Sequence, residues 1–158
     1  MKNIQIVKHG RGALGLRLCG LGPKMKPMQG LIQLKQLFDE HTFWAKGRSI
    51  KRLKMMLSKS TVVITVWKEK KLIGFGRANS DYIFRSVLWD IVVANENQGE
   101  GVGSLLIETL INSPEIKDVE KIYLMTTHCS NFYENKGFQF SSNQKLLYVN
   151  RISEIKKN

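Results

Sequence analysis

The chain has 158 residues, of which 42% are hydrophobic and 24% are charged. This length and composition are typical of a globular protein with its own core, so we expect residues 1–158 to form a single domain. No apolar run approaches the roughly 20 residues of a membrane-spanning helix. The first residues contain neither a signal-peptide apolar core nor a long Ser- and Arg-rich transit segment. We therefore expect no membrane association, and a cytoplasmic protein or one made in the organelle where it works.

The net charge of +12 is compatible with several kinds of partner. It would attract a nucleic acid, a polyanionic cofactor or an acidic protein, or it reflects lysines on solvated faces with no partner. Binding to a nucleic acid is not favoured, because the sequence lacks an ordered basic stripe with interleaved aromatic residues. The two cysteines and three histidines show no metal-ligand spacing, so we expect no metal site.

The first half of the chain is predicted to alternate between short strands and helices. Alternating apolar residues predict strands at Ile4–Lys8 and Ala13–Cys19. Two amphipathic helices follow, one over Met28–His41 and one that begins after Ser49, a suitable N-cap residue. Basic residues cover one face of the second helix, where solvation is the simplest explanation.

The middle of the chain is predicted to form a β-meander. Thr61–Trp67 and Leu72–Ala78 are strands joined in a hairpin, and Arg85–Val93 returns as the central strand. Gly74 and Gly76, within the second of these strands, predict a bulge or a close approach of the backbone.

The last part of the chain returns to alternating helices and strands. A helix is predicted over Gly101–Asn112, followed by a strand over Lys121–Thr127 that a right-handed crossover makes parallel to the central strand. A short helix over Ser130–Lys136 and a closing strand over Leu146–Ile152 complete the prediction.

Three alternating glycines join the central strand to the helix that follows it, at Gly99, Gly101 and Gly103. Backbone N–H groups at the start of a helix lack intrahelical partners, and the helix dipole adds positive potential there. Glycines let an anion come close to the backbone. The pattern therefore predicts that residues 98–104 hold a phosphate or pyrophosphate.

The loop can be compared with known phosphate-binding patterns. No Walker sequence is present, and the dinucleotide pattern Gly-x-Gly-x-x-Gly fails at Ser104, although Glu120 lies at the spacing which that motif requires. The pattern Gln-x-x-Gly-x-Gly fits from Gln98 to Gly103. Together with Phe-Tyr-x-x-x-Gly-Phe from Phe132 to Phe138, it resembles the GNAT acetyltransferase superfamily.

The resemblance spans roughly Thr61–Phe140 and implies a fold. This is the mixed α/β GNAT fold: a central, mostly antiparallel sheet with one splayed parallel strand pair, flanked by about four helices. Arg77–Asp81 followed by Leu88–Val93 is similar to the cyanobacterial and plastid branch, which includes the plant plastid serotonin N-acetyltransferases. That branch adds the plastid stroma as an expected location if the protein is organelle-encoded.

The resemblance also implies acetyl-CoA as co-substrate and a set of residues that bind it. The backbone of the central strand would meet the pantetheine arm where the two parallel strands diverge. The implied binding residues are Ile91, Val92, Val93, Gln98, Gly99, Glu100, Gly101, Val102, Gly103, Ser104, Asn131 and Tyr133. Many relatives carry an asparagine shortly before the tyrosine helix, where this chain has Thr126 and Thr127, so cofactor contacts there are in doubt.

Two residues are candidates for the chemistry. Tyr133 is predicted to donate a proton to the leaving thiolate. Asp90 is a charged residue within an apolar strand, and burial of an unpaired charge is costly. It would act as general base, directly or through water, or bind the ammonium group; the structural alternative is an ion pair with Arg77 or Arg85. The amine would attack the thioester directly, with backbone N–H groups polarising the carbonyl.

The acceptor is expected to be a primary amine, either a small molecule or a protein. An arylalkylamine such as serotonin or tryptamine would stack on Trp89, Phe43 or Trp44, with Asp81 as a further contact. Protein lysines or N-termini would suit the basic helix after Ser49. A nucleic-acid-binding module and a non-catalytic acyl-CoA sensor are the rival functions, and a homodimer is left open.

Overall fold

The computed structural model describes residues 3–9 and 27–151, which form two compact units, residues 1–125 and 126–158. The described elements of the first unit are β1 Ile4–His9, α1 Pro27–His41, α2 Ile50–Ser58, β2 Val62–Lys68, β3 Lys71–Ser80, β4 Arg85–Val93, a 3-10 turn Asn95–Asn97, α3 Val102–Ile111 and β5 Lys121–Tyr123. The second unit contains α4 Ser130–Glu134. The strand predicted at Ala13–Cys19 lies outside the described residues.

The described strands form one five-stranded sheet in the order β1-β2-β3-β4-β5. The first four strands are antiparallel to their neighbours, and β5 is parallel to β4. This confirms the predicted mixed α/β fold, with a mostly antiparallel sheet and one parallel pair. A doubly wound dinucleotide fold needs an open, mostly parallel sheet, so the topology removes the alternative that Glu120 had left open.

The helices cover apolar side chains of the sheet. Phe38 of α1 meets Phe75 of β3 edge to face, with ring centroids 5.4 Å apart, and both side chains are fully buried. α3 buries Val102, Leu106, Ile107 and Leu110. α3 packs mainly on β2 and β3, and Val102 at its start lies over Gly74 of β3.

A β-bulge interrupts the pairing of β3 with β4. Phe75 pairs with Val92 and Arg77 pairs with Trp89, so two β4 residues, Asp90 and Ile91, stand opposite Gly76 alone. A Cβ atom at Gly76 would lie 2.7 Å from Cδ1 of Ile91. Of the two alternatives predicted from the glycines of β3, the bulge is confirmed at Gly76, where the side chain of Ile91 fills the space of a Cβ atom.

The second unit differs from the prediction at its C-terminal end. The predicted short helix is present as α4, and Gly137 follows it with a φ of 87°, which suits a residue just beyond a helix. The strand predicted over Leu146–Ile152 is wrong for residues 146–151, which are exposed and belong to no strand. Apolar residues favour a strand only where a neighbouring strand can bond to them, and the sequence pattern does not supply that neighbour.

None of the described helices is long and apolar enough to cross a bilayer.

Candidate active site

β4 is paired along its whole length on one side only. On the other side, β5 pairs with Arg85, Ser86 and Val87, and within the described residues no strand pairs with β4 beyond that point. The strand predicted over Lys121–Thr127 is therefore shorter, because β5 ends at Tyr123. The divergence of the parallel pair is present as predicted, and it leaves the edge of β4 from Leu88 to Val93 open to an extended ligand.

The bulge places Asp90 beside this open edge. Its backbone has a φ of 55°, in the left-handed region that few residues other than glycine adopt. Its side chain is only 5% exposed. The residue is thus held in a sparsely populated conformation within the part of β4 that β5 does not pair with.

The carboxylate of Asp90 is bound by two arginines. Arg48 Nη1 donates to Oδ1 at 2.9 Å, and Arg77 Nε donates to Oδ2 at 2.5 Å. The ion pair with Arg77 is the structural alternative considered from the sequence. Arg85 is not involved, since it pairs with Glu120 at 2.7 Å. Each carboxylate oxygen accepts a hydrogen bond from an arginine. This arrangement suits Asp90 to stabilise the bulge rather than to accept a proton from an amine.

The glycine loop leads from β4 into α3 with two left-handed residues. Gly99 and Gly101 have φ values of 79° and 83°, and nothing lies within 4 Å of a Cβ atom built on either. The first N–H bond of the helix runs from Leu105 to the carbonyl of Gly101 at 3.0 Å. The N–H groups of residues 102–104 precede that bond and have no acceptor within the helix, so residues 98–104 remain a candidate site for a pyrophosphate group.

Side chains on either side of the glycines brace the loop. Gln98 Nε2 donates to the carbonyl of Val93 at 3.2 Å, which ties the loop to the end of β4. Asn97 Nδ2 donates to Glu100 Oε2 at 3.2 Å, and Lys68 Nζ lies 3.7 Å from the same oxygen. The Glu100 carboxylate is therefore bound within the protein by Asn97 and Lys68. Lys68 is a cation at the loop that the motif did not reveal.

The predicted aromatic contacts lie near the arginines that bind Asp90. The guanidinium carbon of Arg48 is 5.7 Å from the centroid of the Trp44 ring, and that of Arg77 is 5.9 Å from the centroid of Trp89. Trp44 and Trp89 are 43% and 37% exposed, and Phe43 is 72% exposed. Aromatic surface and the charged cluster thus occur together on this part of the first unit.

Asp81 lies at the opposite end of β4. Its Oδ1 accepts N–H bonds from three consecutive residues of the β3–β4 loop, at 2.8–2.9 Å. These bonds hold the pKa of its carboxyl below the usual value. Because a strand rises roughly 3.3 Å per residue, β4 carries the chain about 17 Å from Arg85 to Asp90. The predicted acceptor contact finds no support here: Asp81 stabilises a loop far along the strand.

Tyr133 occupies the middle of α4 in the second unit. Its ring meets Phe132 and Phe138 edge to face, with centroids 5.0 Å and 5.9 Å away. Burial, with a smaller contribution from Cys129, raises the pKa of Tyr133 to about 12. The phenol therefore stays protonated near neutral pH, as a proton donor must. Asn131, on the same helix, is exposed.

Arg48 is the residue that the sequence analysis misjudged. It was grouped with the solvated basic face of the second helix, but its guanidinium packs 5.3 Å from the Phe38 ring centroid and binds Asp90. Arg48 and Asp90 are 42 positions apart in the sequence, and therefore no local pattern could indicate the pair. The one available signal was that a charged residue in an apolar strand needs a partner.

Comparisons with known proteins bear on the family. The family model described as an acetyltransferase (GNAT) domain matches residues 59–140. An uncharacterised N-acetyltransferase, ycf52, of Pyropia yezoensis is 34% identical over 113 residues, which cover 68% of this chain and 64% of that protein. A chloroplastic GCN5-related N-acetyltransferase 2 of Arabidopsis thaliana is 41% identical over 73 residues, 46% of this chain and 28% of that protein. The chain thus spans less than two thirds of these relatives.

Solved structures agree on the fold. A crystal structure from Xanthomonas campestris pv. campestris, described as an acetyltransferase of the GNAT family, superposes with a TM-score of 0.69 and 19% identity, covering 92% of this chain and 94% of that one. At this identity the likeness shows the fold alone. The family match spans more than half of the chain, including the open edge of β4, the glycine loop and the tyrosine helix, and the chain therefore belongs to the GNAT acetyltransferase family.

Proposed function

We propose that the protein is an acetyl-CoA-dependent N-acetyltransferase that acetylates a primary amine. One observation carries the proposal: an open, bulged strand edge and a glycine loop suited to an anion lie on the same segment, residues 88–104. A cofactor with a pyrophosphate at one end and an amide-bearing arm at the other requires this order of features. An ATP or dinucleotide site would not need the free strand edge.

The chain would bind the co-substrate mainly through its backbone. Acetyl-CoA supplies an acetyl group activated as a thioester. In the proposal, the N–H groups of residues 102–104 hold the pyrophosphate, and the backbone of Ile91, Val92 and Val93 bonds to the pantetheine amides as an added strand would. A backbone N–H of β4 would polarise the thioester carbonyl, so that charge on its oxygen is stabilised as the amine attacks.

Two side chains complete the proposed chemistry. Tyr133 would give its phenolic proton to the thiolate as it leaves and would regain a proton from the attacking nitrogen through water, so that an amide and a thiol form. Burial keeps the phenol protonated near neutral pH, although a pKa of about 12 makes it a weaker acid than an exposed tyrosine. Asp90 would hold the bulge through Arg48 and Arg77. For Asp90 to act as general base, one of these arginines would have to release an oxygen first.

Membership of the GNAT family does not identify the acceptor amine. An arylalkylamine is supported by the exposed rings of Trp44, Trp89 and Phe43, and a protein lysine or N-terminus by the exposed basic residues of α2. The chloroplastic relative supports the plastid stroma as the location, and a cytoplasmic location is the alternative expected from the sequence.

Thiol release from acetyl-CoA tests the proposal, measured with tryptamine, serotonin, polyamines, and lysine and N-terminal peptides. We expect release with at least one amine, and Tyr133→Phe should lower turnover roughly 100-fold while leaving acetyl-CoA affinity nearly unchanged. Tyr148→Phe is the matched control, because Tyr148 is 84% exposed in the same unit. Acetyl-CoA binding without turnover on any amine would favour an acyl-CoA sensor. RNA binding that acetyl-CoA does not affect would favour a nucleic-acid module.

A further inference from the structure

The cluster around Asp90 carries more positive than negative charge. Arg48 and Arg77 share one carboxylate, which leaves a net charge of +1. Asp39 is tied to the same connection through the N–H of Gly47, but it is itself paired with Lys35. The nearby acidic groups therefore do not cancel the excess. A bare ammonium group would meet repulsion here, whereas a carboxylate would meet attraction.

The arginines also have hydrogen-bond donors to spare. Arg48 uses Nη1 for Asp90 and for the sulfur of Met56, and its Nε and Nη2 donate to no acceptor among residues 3–9 and 27–151. Arg77 uses Nε and Nη1, so its Nη2 is likewise unassigned within those ranges. The Arg48 side chain is 33% exposed and that of Arg77 is 16% exposed. Arg48 is thus partly exposed and has two donor nitrogens without an acceptor among the described residues.

Aromatic surface adjoins these donors. The Arg48 guanidinium lies between the rings of Phe38 and Trp44, which fixes its plane, and the exposed ring of Trp89 lies against Arg77. A fixed guanidinium beside an exposed indole fits a ligand with a carboxylate and an aromatic ring. The cluster lies on the segment of β4 where the parallel partner has diverged, next to the proposed position of the thioester.

We propose that the acceptor is an aromatic amine that also carries a carboxylate, which Arg48 binds while Trp44 and Trp89 contact the ring. This inference rests on the proposed N-acetyltransferase function and names the substrate class of that site. The proposed acceptor differs from a simple arylalkylamine by its carboxylate. Asp90 already pairs with Arg48 and Arg77, so its carboxylate is not available to bind an ammonium group.

Matched pairs of amines test the proposal, each pair differing by one carboxylate: tryptophan against tryptamine, and phenylalanine against phenethylamine. We expect kcat/KM to be about 10-fold or more higher for the carboxylated member, since a charge-assisted hydrogen bond contributes roughly that factor. Arg48→Gln should bring the ratio close to one, and Arg48→Lys should retain part of it. Lys46→Gln is the matched control: it removes a positive charge from the same connection and should keep the ratio.

A binding measurement separates this proposal from the acetyltransferase function. With excitation of the three tryptophans at 295 nm, of which Trp67 is buried, 3-phenylpropionate should quench the fluorescence of Trp44 and Trp89 at roughly 10-fold lower concentration than phenethylamine. Arg48→Gln should abolish the difference. This readout stands even if no amine is acetylated, a result that would overturn only the enzymatic function. Equal quenching by both ligands, faster turnover of the decarboxylated amines, or turnover of peptides alone would overturn the proposed substrate class.

Discussion

Asp90 combines an unusual backbone conformation with a fully engaged side chain. A non-glycine residue in the left-handed region costs on the order of 1 kcal/mol, and Asp90 holds it in the middle of β4 with a φ of 55°. Its two ion pairs connect the bulge to β3 through Arg77 and to the α1–α2 connection through Arg48. Asp90 therefore fixes the bulge of β4 against β3 and the α1–α2 connection.

Replacement of Asp90 by asparagine should reduce stability and leave the pH profile unchanged. The amide cannot neutralise two guanidinium groups, one of which is largely buried, so we expect a loss of about 1–3 kcal/mol in the free energy of unfolding. Urea unfolding measures this loss, and Asp118→Asn, at an exposed surface pair, should change stability by less than about 0.5 kcal/mol. If kcat instead lost its acidic limb at unchanged stability, Asp90 would be the general base.

His9 is a second buried residue, and its burial determines its charge. Its Nε2 lies 3.0 Å from Thr65 Oγ1, which also accepts a bond from Trp67 Nε1 at 2.9 Å. Because the Trp67 N–H donates to this oxygen, the Thr65 hydroxyl proton is free to point at His9. Burial lowers the pKa of His9 from 6.5 to about 4, so the ring is neutral in the folded protein at pH 7.

The protein should therefore lose stability in acid through His9. Its lowered pKa favours the folded state fully above about pH 6.5, and this contribution is lost as the pH falls through that value towards 4. The shift corresponds to about 3 kcal/mol at most. Urea unfolding at pH 7, 5 and 4 should show a shallower loss for His9→Gln than for the wild type. His128→Gln, at an exposed site, should keep the wild-type slope.

At the scale of single elements, two glycines of similar backbone conformation allow the effect of backbone strain to be measured separately from that of ligand binding. Gly101 and Gly47 have nearly the same φ, 83° and 81°, and neither has an atom within 4 Å of a built Cβ. Alanine at either position should cost roughly 1 kcal/mol of stability through the backbone alone. Only Gly101→Ala should also weaken acetyl-CoA binding, measured by calorimetry. Equal affinity in the two variants would remove the loop as the pyrophosphate site.

The elements also show what a sequence can and cannot reveal. The loop of residues 98–104 and the helix around Tyr133 are local motifs, and their elements were predicted to within a few residues. The Arg48–Asp90 pair joins positions far apart in sequence, and only the folded sheet brings them together. The missing strand at residues 146–151 has the same origin, since pairing depends on a neighbour that periodicity does not specify.

At the scale of the whole molecule, the net charge of +12 should attract acetyl-CoA. Screening shortens the reach of this field to about 3 Å at 1 M salt. We therefore expect the Kd of acetyl-CoA to rise several-fold between about 50 mM and 500 mM salt. S-acetylpantetheine, which has no phosphate, should show almost no such dependence. Equal salt dependence of both ligands would mean that the charge acts on something other than the phosphates.

The position of β1 in the sheet has a consequence for the order of folding. Ile4 pairs with Lys68, 64 positions along the chain, whereas β2, β3 and β4 are joined in sequence by short turns. Closing so long a loop costs entropy before any β1 bond repays it, so the meander can form first and β1 can join late. Among the strands of residues 3–9 and 27–151, β1 lies at one end of the sheet and β3 at its centre, so the amide protons of β1 should exchange with solvent before those of β3.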